Sequence, residues 1–123
     1  MLIGDGESNE GSCWEALMVA AHNKLSNLVV VFDDNKSQGR CMPVTVPVEK
    51  ITAFGLDTVA VNGHDIGAIR AALRRSPDEK PLAIVADTSK GWGCSTLVEN
   101  RYEWHRRSPN ESEFKLLVSE LDA

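Results

Sequence analysis

The sequence predicts an α/β fold: an open, mostly parallel sheet with helices on both faces. Residues 28–32 and 82–86 are apolar at every position, as is typical of strands that are covered on both sides. Segments with helical periodicity separate the strand-like runs, and strands that alternate with helices indicate a parallel sheet. The length of 123 residues fits one domain with a core of its own.

The N-terminal half is predicted to contain, in order, a strand that ends at residues 1–3, a helix at 11–23, a strand at 28–32 and a polar loop at 33–39. The first strand runs directly into the turn Gly4-Asp5-Gly6. In the helix, Trp14 and Met18 belong to an apolar stripe at helical spacing, and we assign both to the core. The polar loop is expected at the carboxyl end of the second strand.

The C-terminal half is predicted to contain a helical turn at residues 51–54, a strand at 58–61, a helix that begins after Asp65, a strand at 82–86 and a helix at 112–121. Asp65 is a typical N-cap residue. Residues 91–109 show no clear periodicity and are expected to form a long loop. Long loops of this kind are more often functional than idle.

Composition excludes several classes of function. The net charge of −5 and the pI of about 5.1 argue against a nucleic-acid partner, since binding phosphates requires a basic face. No apolar run approaches the ~20 residues needed to span a bilayer, so no membrane partner is expected. The three cysteines are widely spaced, which predicts neither a disulfide framework nor a zinc site and fits a reduced, cytoplasmic setting.

Polar residues follow two predicted strands at the edge where parallel sheets bind ligands. Asp5 lies between two glycines that permit close backbone approach, and a helix N-terminus follows that favours anions. The Asp5 carboxylate and the Asn35 amide oxygen form a sparse, all-oxygen set. Such a set suits Mg²⁺, which completes its octahedron with phosphate oxygens and water. By itself, a Gly-Asp-Gly turn is more often purely structural.

Longer motifs make the pattern specific: the run GDGESNEGSCWEALMVAAHNKLSNLVVVFDDN, then AFG at 53–55, NGHD at 62–65, TSKGWG at 88–93, EN at 99–100 and WHRRSP at 104–109. In this order they resemble the transketolase branch of the thiamine-diphosphate enzymes. The resemblance implies a thiamine-diphosphate-binding fold over residues 1–123, incomplete relative to the family. It also implies thiamine diphosphate and Mg²⁺, for which Ca²⁺ could substitute, and transfer of a two-carbon ketol unit.

The resemblance assigns roles by matching position. Asp5 and Asn35 resemble the side-chain ligands of the metal, and the backbone carbonyl of Ser37 would be the third protein ligand. Gly4 and Gly6 resemble the residues that lie against the diphosphate. Ser37 stands where the family often has an apolar residue, which puts the contact to the cofactor ring in doubt.

Further roles carried over have plain alternatives. Glu10 matches a cofactor-site glutamate at the subunit interface, but it could simply be an acid at a helix N-terminus. His105 matches a catalytic histidine that reaches the diphosphate and the substrate, but it could pack against Trp104. Arg106 and Arg107 are expected to be solvated charges, with contact to an anionic substrate as the alternative; Arg106 replaces a glycine common in the family.

The resemblance also implies a partner. The family's region before the Gly-Asp-Gly turn and its pyrimidine-binding domain, which carries the activating glutamate, are not in this sequence. We therefore expect a split subunit that forms a hetero-oligomer with a pyrimidine-binding-domain subunit; however, a fragment of a longer chain would look the same. The acceptor would be a sugar phosphate or a carrier-bound group. The alternatives are a 2-oxo-acid decarboxylase or dehydrogenase component and a non-catalytic interaction subunit.

Overall fold

The computed structural model describes residues 1–75 and 77–122. The strands are β1 (Leu2–Gly4), β2 (Val29–Asp34), β3 (Asp57–Asn62) and β4 (Leu82–Asp87). The helices are α1 (Gly11–His22), α2 (Pro47–Ala53), α3 (Ile66–Leu73), α4 (Ser95–Glu99), α5 (Arg101–Trp104) and α6 (Glu111–Leu121), and a 3₁₀ turn covers Glu7–Asn9. None of the described helices is long and apolar enough to cross a membrane.

The chain divides into two compact units, the first covering Met1–Thr88 and the second beginning at Ser89. All four strands, α1, α2 and α3 belong to the first unit, and α4, α5 and α6 belong to the second. That the whole chain forms one cofactor-binding domain stays a prediction.

The sheet confirms the predicted fold class. In the part of the chain that is described, four strands pair in the order β1-β2-β4-β3, and every pairing is parallel. The two interior strands, β2 and β4, contain the runs that are apolar at every position. Interior strands of a parallel sheet are typically covered on both faces. In β4 the whole apolar run is buried, whereas buried and half-buried residues alternate along β2.

Two hydrophobic clusters lie on opposite faces of the sheet, because successive residues of a strand point to opposite sides. One cluster contains residues of α1, β2, α2 and β4: Leu17, Val30, Phe32, Ile51, Ala83 and Val85, with Ile3 and Leu56. The other contains Ala72 of α3 with Leu82 and Ile84, and Val29, Val59 and Val61 pack against it. Helices on both faces are therefore confirmed.

Helix α1 buries a narrower strip than the sequence predicts. Leu17 and Ala20 are buried, and the half-buried Trp14 packs against Phe54 with ring centroids 5.1 Å apart. Met18 is 50% exposed, so its assignment to the core is wrong. Met18 lies roughly 100° around the helix from Leu17 and therefore points away from the sheet.

The segment at residues 91–109 is more ordered than expected. It contains the short helices α4 and α5 where the sequence predicts a loop, so that prediction is wrong. The final helix agrees better, because α6 begins at Glu111 with a capping box between Asn110 and Glu113. The predicted N-cap at Asp65 is also confirmed, since its Oδ1 accepts a hydrogen bond from the Ala68 N–H at 3.0 Å.

Candidate functional site

The candidate site lies at the carboxyl ends of β1 and β2. These strands are neighbours, with Gly4 opposite Asp33. The backbone N–H of Asp5 donates to the Asp33 carbonyl at 3.0 Å, which extends the pairing one residue beyond β1. The polar turn after β1 and the polar loop after β2 therefore meet at one edge of the sheet, as the parallel connection predicts.

Asp5 joins these two loops. Its side chain is buried, with the residue 3% exposed. Oδ1 accepts a hydrogen bond from the Ser37 hydroxyl at 2.7 Å, and Oδ2 accepts one from the Gln38 backbone N–H at 3.1 Å. A buried carboxylate requires such partners, since burial without them is costly. The Asp5 carbonyl also accepts from the Ser8 hydroxyl at 2.7 Å, which fixes the turn.

Asn35 is oriented by two hydrogen bonds. Its Oδ1 accepts from the Ser37 backbone N–H at 2.9 Å, and its Nδ2 donates to Asp33 Oδ2 at 2.7 Å. Between Asn35 and Ser37, Lys36 adopts a left-handed conformation with φ of 60°. This turn brings Ser37 back within reach of both Asn35 and Asp5, so the three predicted metal ligands lie together.

The donor set fits a magnesium ion. A carboxylate, an amide oxygen and a backbone carbonyl are the hard oxygen ligands that Mg²⁺ prefers, and Mg²⁺ takes its remaining ligands from phosphate and water. Within residues 1–75 and 77–122, no group of three or more His, Cys, Asp or Glu side chains could hold a metal ion. A site made from Asp5, Asn35 and the Ser37 carbonyl is of a different, sparser kind, and hydrogen bonds already link Ser37 to both Asp5 and Asn35.

The two glycines of the turn differ in what lies against them. A Cβ on Gly6 would lie 2.6 Å from Nε2 of Gln38, so the Gln38 side chain covers the surface predicted to face the diphosphate. The N–H of Gly4 donates to Glu7 Oε2 at 2.8 Å. Glu7 would therefore have to turn away before an anion could reach the Gly4 N–H, and Gln38 before one could lie against Gly6.

Glu10 lies beside the exposed edge of the sheet. It is the N-cap residue of α1 but makes no side-chain cap hydrogen bond. It lines an open groove of about 620 Å³ together with residues of β1 and α1, namely Leu2, Ile3, Ser12, Cys13 and Ala16, and with Met1, Gly6 and Glu7. The structure places Glu10 on an accessible surface, and its interface role stays a prediction.

His105 belongs to the second unit, in which it pairs with Lys90. Its Nδ1 lies 2.7 Å from Lys90 Nζ. Because an ammonium group can only donate, Nδ1 must accept, and Nε2 then carries the ring proton. The exposed His105 ring can therefore offer an N–H to an oxygen of a ligand.

The neighbouring Arg107 is held by other groups of the second unit. It donates to Glu103 and, through two nitrogens, to both oxygens of Glu113, each at 2.8 Å. Its guanidinium also lies 4.1 Å from the centre of the Trp104 ring, so Trp104 packs with Arg107. The carboxylates raise the pKa of Arg107, which is typical of a structural ion pair.

Comparison with known proteins agrees with this geometry. A family model described as "Transketolase, thiamine diphosphate binding domain" matches residues 1–121. The chain belongs to this family.

Individual relatives agree with the family assignment. One subunit of the apulose-4-phosphate transketolase from Actinobacillus succinogenes is 39% identical over 127 residues, which cover 98% of this chain and 46% of that protein. Mouse transketolase is 34% identical over 125 residues, which cover 98% of this chain and 20% of that protein. The crystal structure of Campylobacter jejuni transketolase superposes with a TM-score of 0.83 at 28% identity, covering 98% of this chain and 20% of that one. The chain thus spans less than half of each of these transketolases.

The structure adds residues that the sequence did not single out. Gln38 contacts both Asp5 and the surface of Gly6, and Lys90 is the partner of His105. Asp33 accepts from Asn35 and from the Thr88 hydroxyl. A signal was available for Thr88 and Lys90, because both lie in the TSKGWG motif that carries the transketolase resemblance.

Lys36 provides the positive charge beside the site. Its ammonium pairs with Asp34 Oδ2 and lies 3.6 Å from Asp87 Oδ1. Partial burial lowers its pKa, but the hydrogen bond and the charge of Asp34, followed by those of Asp87, outweigh this effect and raise it. Lys36 is therefore shared by the carboxylates at the ends of β2 and β4, whereas the hydrogen bonds to the Asp5 carboxylate come from neutral donors.

Proposed function

We propose that this chain supplies the Mg²⁺ and diphosphate docking surface of a thiamine-diphosphate-dependent enzyme that transfers a two-carbon ketol unit. One observation carries the proposal: Asp5, Asn35 and Ser37 meet at the carboxyl edge of a parallel sheet. Membership of the transketolase family supports the cofactor. The cofactor supplies the carbon chemistry, and the protein supplies binding and orientation.

In this proposal Asp5 and Asn35 donate side-chain oxygens to Mg²⁺, and Ser37 donates its backbone carbonyl. Ca²⁺ could replace Mg²⁺, because it prefers the same oxygen ligands. Gly4 and Gly6 lie against the diphosphate once Glu7 and Gln38 have turned aside. The Ser37 and Gln38 hydrogen bonds to Asp5 come from neutral groups, so exchanging them for a cation leaves no ion unpaired.

His105 binds an oxygen of the diphosphate or of the substrate through its Nε2–H. Lys90 fixes the tautomer that makes this possible, and it adds a positive charge beside the ring. Glu10 couples the chain to a neighbouring subunit. Its exposed position at the groove beside β1 supports this role, since a partner could reach it there.

The proposed active form is a hetero-oligomer with a subunit that carries the pyrimidine-binding domain. The similarity to a protein named as one subunit of a transketolase supports this, because the name implies at least one further subunit in that enzyme. The acceptor is a sugar phosphate or a carrier-bound group, and the setting is cytoplasmic. The relatives named transketolase favour ketol transfer over a 2-oxo-acid decarboxylase or dehydrogenase component.

Calorimetry with thiamine diphosphate and Mg²⁺, with and without a co-purified partner, tests the proposal. Heat of binding is expected when the complete assembly is used, and Asp5→Ala should abolish it. Asp78→Ala is the matched control, because it removes the same charge from an exposed turn. If the assembly shows no binding and Asp5→Ala changes nothing, the proposal is overturned in favour of a non-catalytic interaction subunit.

A further inference from the structure

The carboxylate of Asp33 accepts a hydrogen bond from the side-chain amide of Asn35. Asp33 is a residue of β2 that pairs with Gly4 of β1 on one side and with Ala86 of β4 on the other. Its carbonyl accepts the N–H of Asp5 at 3.0 Å. Because strands hold it on both sides, its side chain projects from a fixed point of the sheet.

Both oxygens of the Asp33 carboxylate are engaged. Oδ2 accepts from Nδ2 of Asn35 at 2.7 Å, and Oδ1 accepts from the Thr88 hydroxyl. An ionised carboxylate is an acceptor only, so it can bind the NH₂ end of the Asn35 amide and never the oxygen end. The Asn35 oxygen must then face the opposite way, toward the loop that contains Ser37.

Thr88 is itself held in place. It follows β4 directly, and its N–H donates to the Asp34 carbonyl at 3.4 Å. A Cβ on Gly63 would lie only 2.2 Å from the Thr88 methyl group, so the methyl rests on a position that admits glycine alone. This packing gives the glycine of the NGHD motif a structural role, and it links the ends of β3 and β4 to the support of Asn35.

We propose that Asp33 is the positioning residue that presents the Asn35 amide oxygen to the metal, with Thr88 fixing the orientation of Asp33. This inference rests on the proposed function, because it concerns the same metal. Asp33 does not itself touch the ion. It acts by disfavouring the Asn35 rotamer in which the amide oxygen and NH₂ group are exchanged, because that rotamer would point the NH₂ group at the cation.

Variants of Asp33 separate orientation from charge. Asp33→Ala removes the acceptor and is expected to weaken Mn²⁺ binding, in the presence of thiamine diphosphate, by about 10-fold or more, as is usual for partners of metal ligands. Asp33→Asn removes the same charge but can still offer an oxygen to Asn35, while the Thr88 hydroxyl accepts from its NH₂ group. It should therefore retain Mn²⁺ affinity within about 3-fold of wild type, against the 10-fold loss typical of an absent partner.

A double-mutant cycle on the full assembly gives the decisive measurement, with free Mn²⁺ followed by electron paramagnetic resonance. If Asp33 acts through Asn35, Asp33→Ala causes no further loss of affinity in an Asn35→Ala background. Additive losses overturn the inference, and so does an Asp33→Asn variant as weak as Asp33→Ala. Wild-type protein that binds no Mn²⁺ would instead contradict the proposed function, and this inference with it.

Thr88→Val keeps the test valid if Asp33→Ala fails to fold. The substitution has nearly the same shape and removes only the hydroxyl that orients Asp33. We expect Mn²⁺ affinity to fall by about 3-fold, at or below the lower end of the effect of an outer partner. Unchanged affinity in a folded Thr88→Val variant would remove Thr88 from the proposal, and thermal unfolding without metal confirms that the variant is folded.

Discussion

Two carboxylates of this molecule are held in opposite ways. Asp5, in the first unit, is buried and accepts hydrogen bonds from neutral donors, the Ser37 hydroxyl and the Gln38 N–H. Glu113, in the second unit, is bound by the guanidinium of Arg107. A carboxylate that already has a cation is structurally satisfied, whereas one held only by neutral groups can still exchange them for a metal ion. The difference in hydrogen-bond partners is the reason that we propose metal binding for Asp5 and a structural role for Glu113.

The largest expected effect is that of Asp5→Asn. The substitution keeps the shape of the side chain but removes a proposed metal ligand, so Mg²⁺ affinity should fall by more than about 100-fold, beyond the range for outer partners. Calorimetry with Mg²⁺ and thiamine diphosphate measures the loss. Glu113→Gln is the matched control and should bind Mg²⁺ as wild type does. Equal losses in both variants would break the distinction between the two carboxylates.

A smaller effect is expected for His105→Ala. It removes an N–H donor to a charged oxygen, and such charge-assisted hydrogen bonds contribute about 1.5–3 kcal/mol. The affinity for thiamine diphosphate, or the KM of the acceptor, should therefore change by about 10-fold or more. Steady-state kinetics with the complete assembly, with the cofactor and the acceptor varied in turn, show which of these two constants changes. Lys90→Ala should change the same constant by a smaller factor. If it has no effect, Lys90 does not fix the His105 tautomer that carries its proton on Nε2.

The Glu113 ion pair predicts a pH-dependent stability. Arg107 first, and the Asn110 backbone next, lower the pKa of Glu113 from 4.5 to about 2. Because the folded-state pKa is the lower one, the stabilisation is present above the unfolded pKa and is lost as pH falls. The Tm difference between wild type and Glu113→Gln should be complete above pH 4.5 and vanish towards pH 2. Circular dichroism melts measure it.

The control for this titration is Glu111→Gln on the same helix. Glu111 pairs with Lys115 at the surface, where its side chain is 85% exposed. Exposed pairs of this kind contribute little to stability. Its Tm difference should therefore be small at every pH, and a pH profile as steep as that of Glu113 would contradict the assignment of the effect to Arg107.

The smallest expected effect is that of Gln38→Ala. The backbone N–H that binds Asp5 remains, but the side chain that covers Gly6 is removed. Since Gln38 no longer has to turn aside, thiamine diphosphate affinity should rise by about 2-fold, corresponding to a few tenths of a kcal/mol. A large decrease in affinity would mean that the Gln38 side chain contacts the cofactor directly.

The sequence predicts most of the sheet and part of the site. Residues 28–32 and 82–86 are apolar throughout and form the interior strands, and together with the alternation of strands and helices they indicate a parallel sheet. The proximity of Asp5 and Asn35 follows from the parallel connection between β1 and β2. Met18 could not be placed, since the width of the buried strip depends on where α1 rests on the sheet.

Other features depend on contacts between distant residues. Asp33 and Thr88 are 55 positions apart, and they meet because β4 lies between β2 and β3 in the sheet. Apolar runs do not specify strand order, so this contact is invisible in the sequence. The Gln38 side chain lies over Gly6 because the backbone turns at Lys36. Lys36 has a left-handed conformation, which lysine rarely adopts.

The position of β4 also determines when the site can form during folding. Asp5 and Asn35 emerge from the ribosome well before Thr88, and β1 and β2 are synthesised before the strand that completes the sheet. Contacts between residues far apart in sequence form slowly, because the intervening chain must first be closed into a loop. The orientation of Asn35 is thus completed only when β4 has inserted beside β2. Metal bound there would stabilise the state in which β4 is in place.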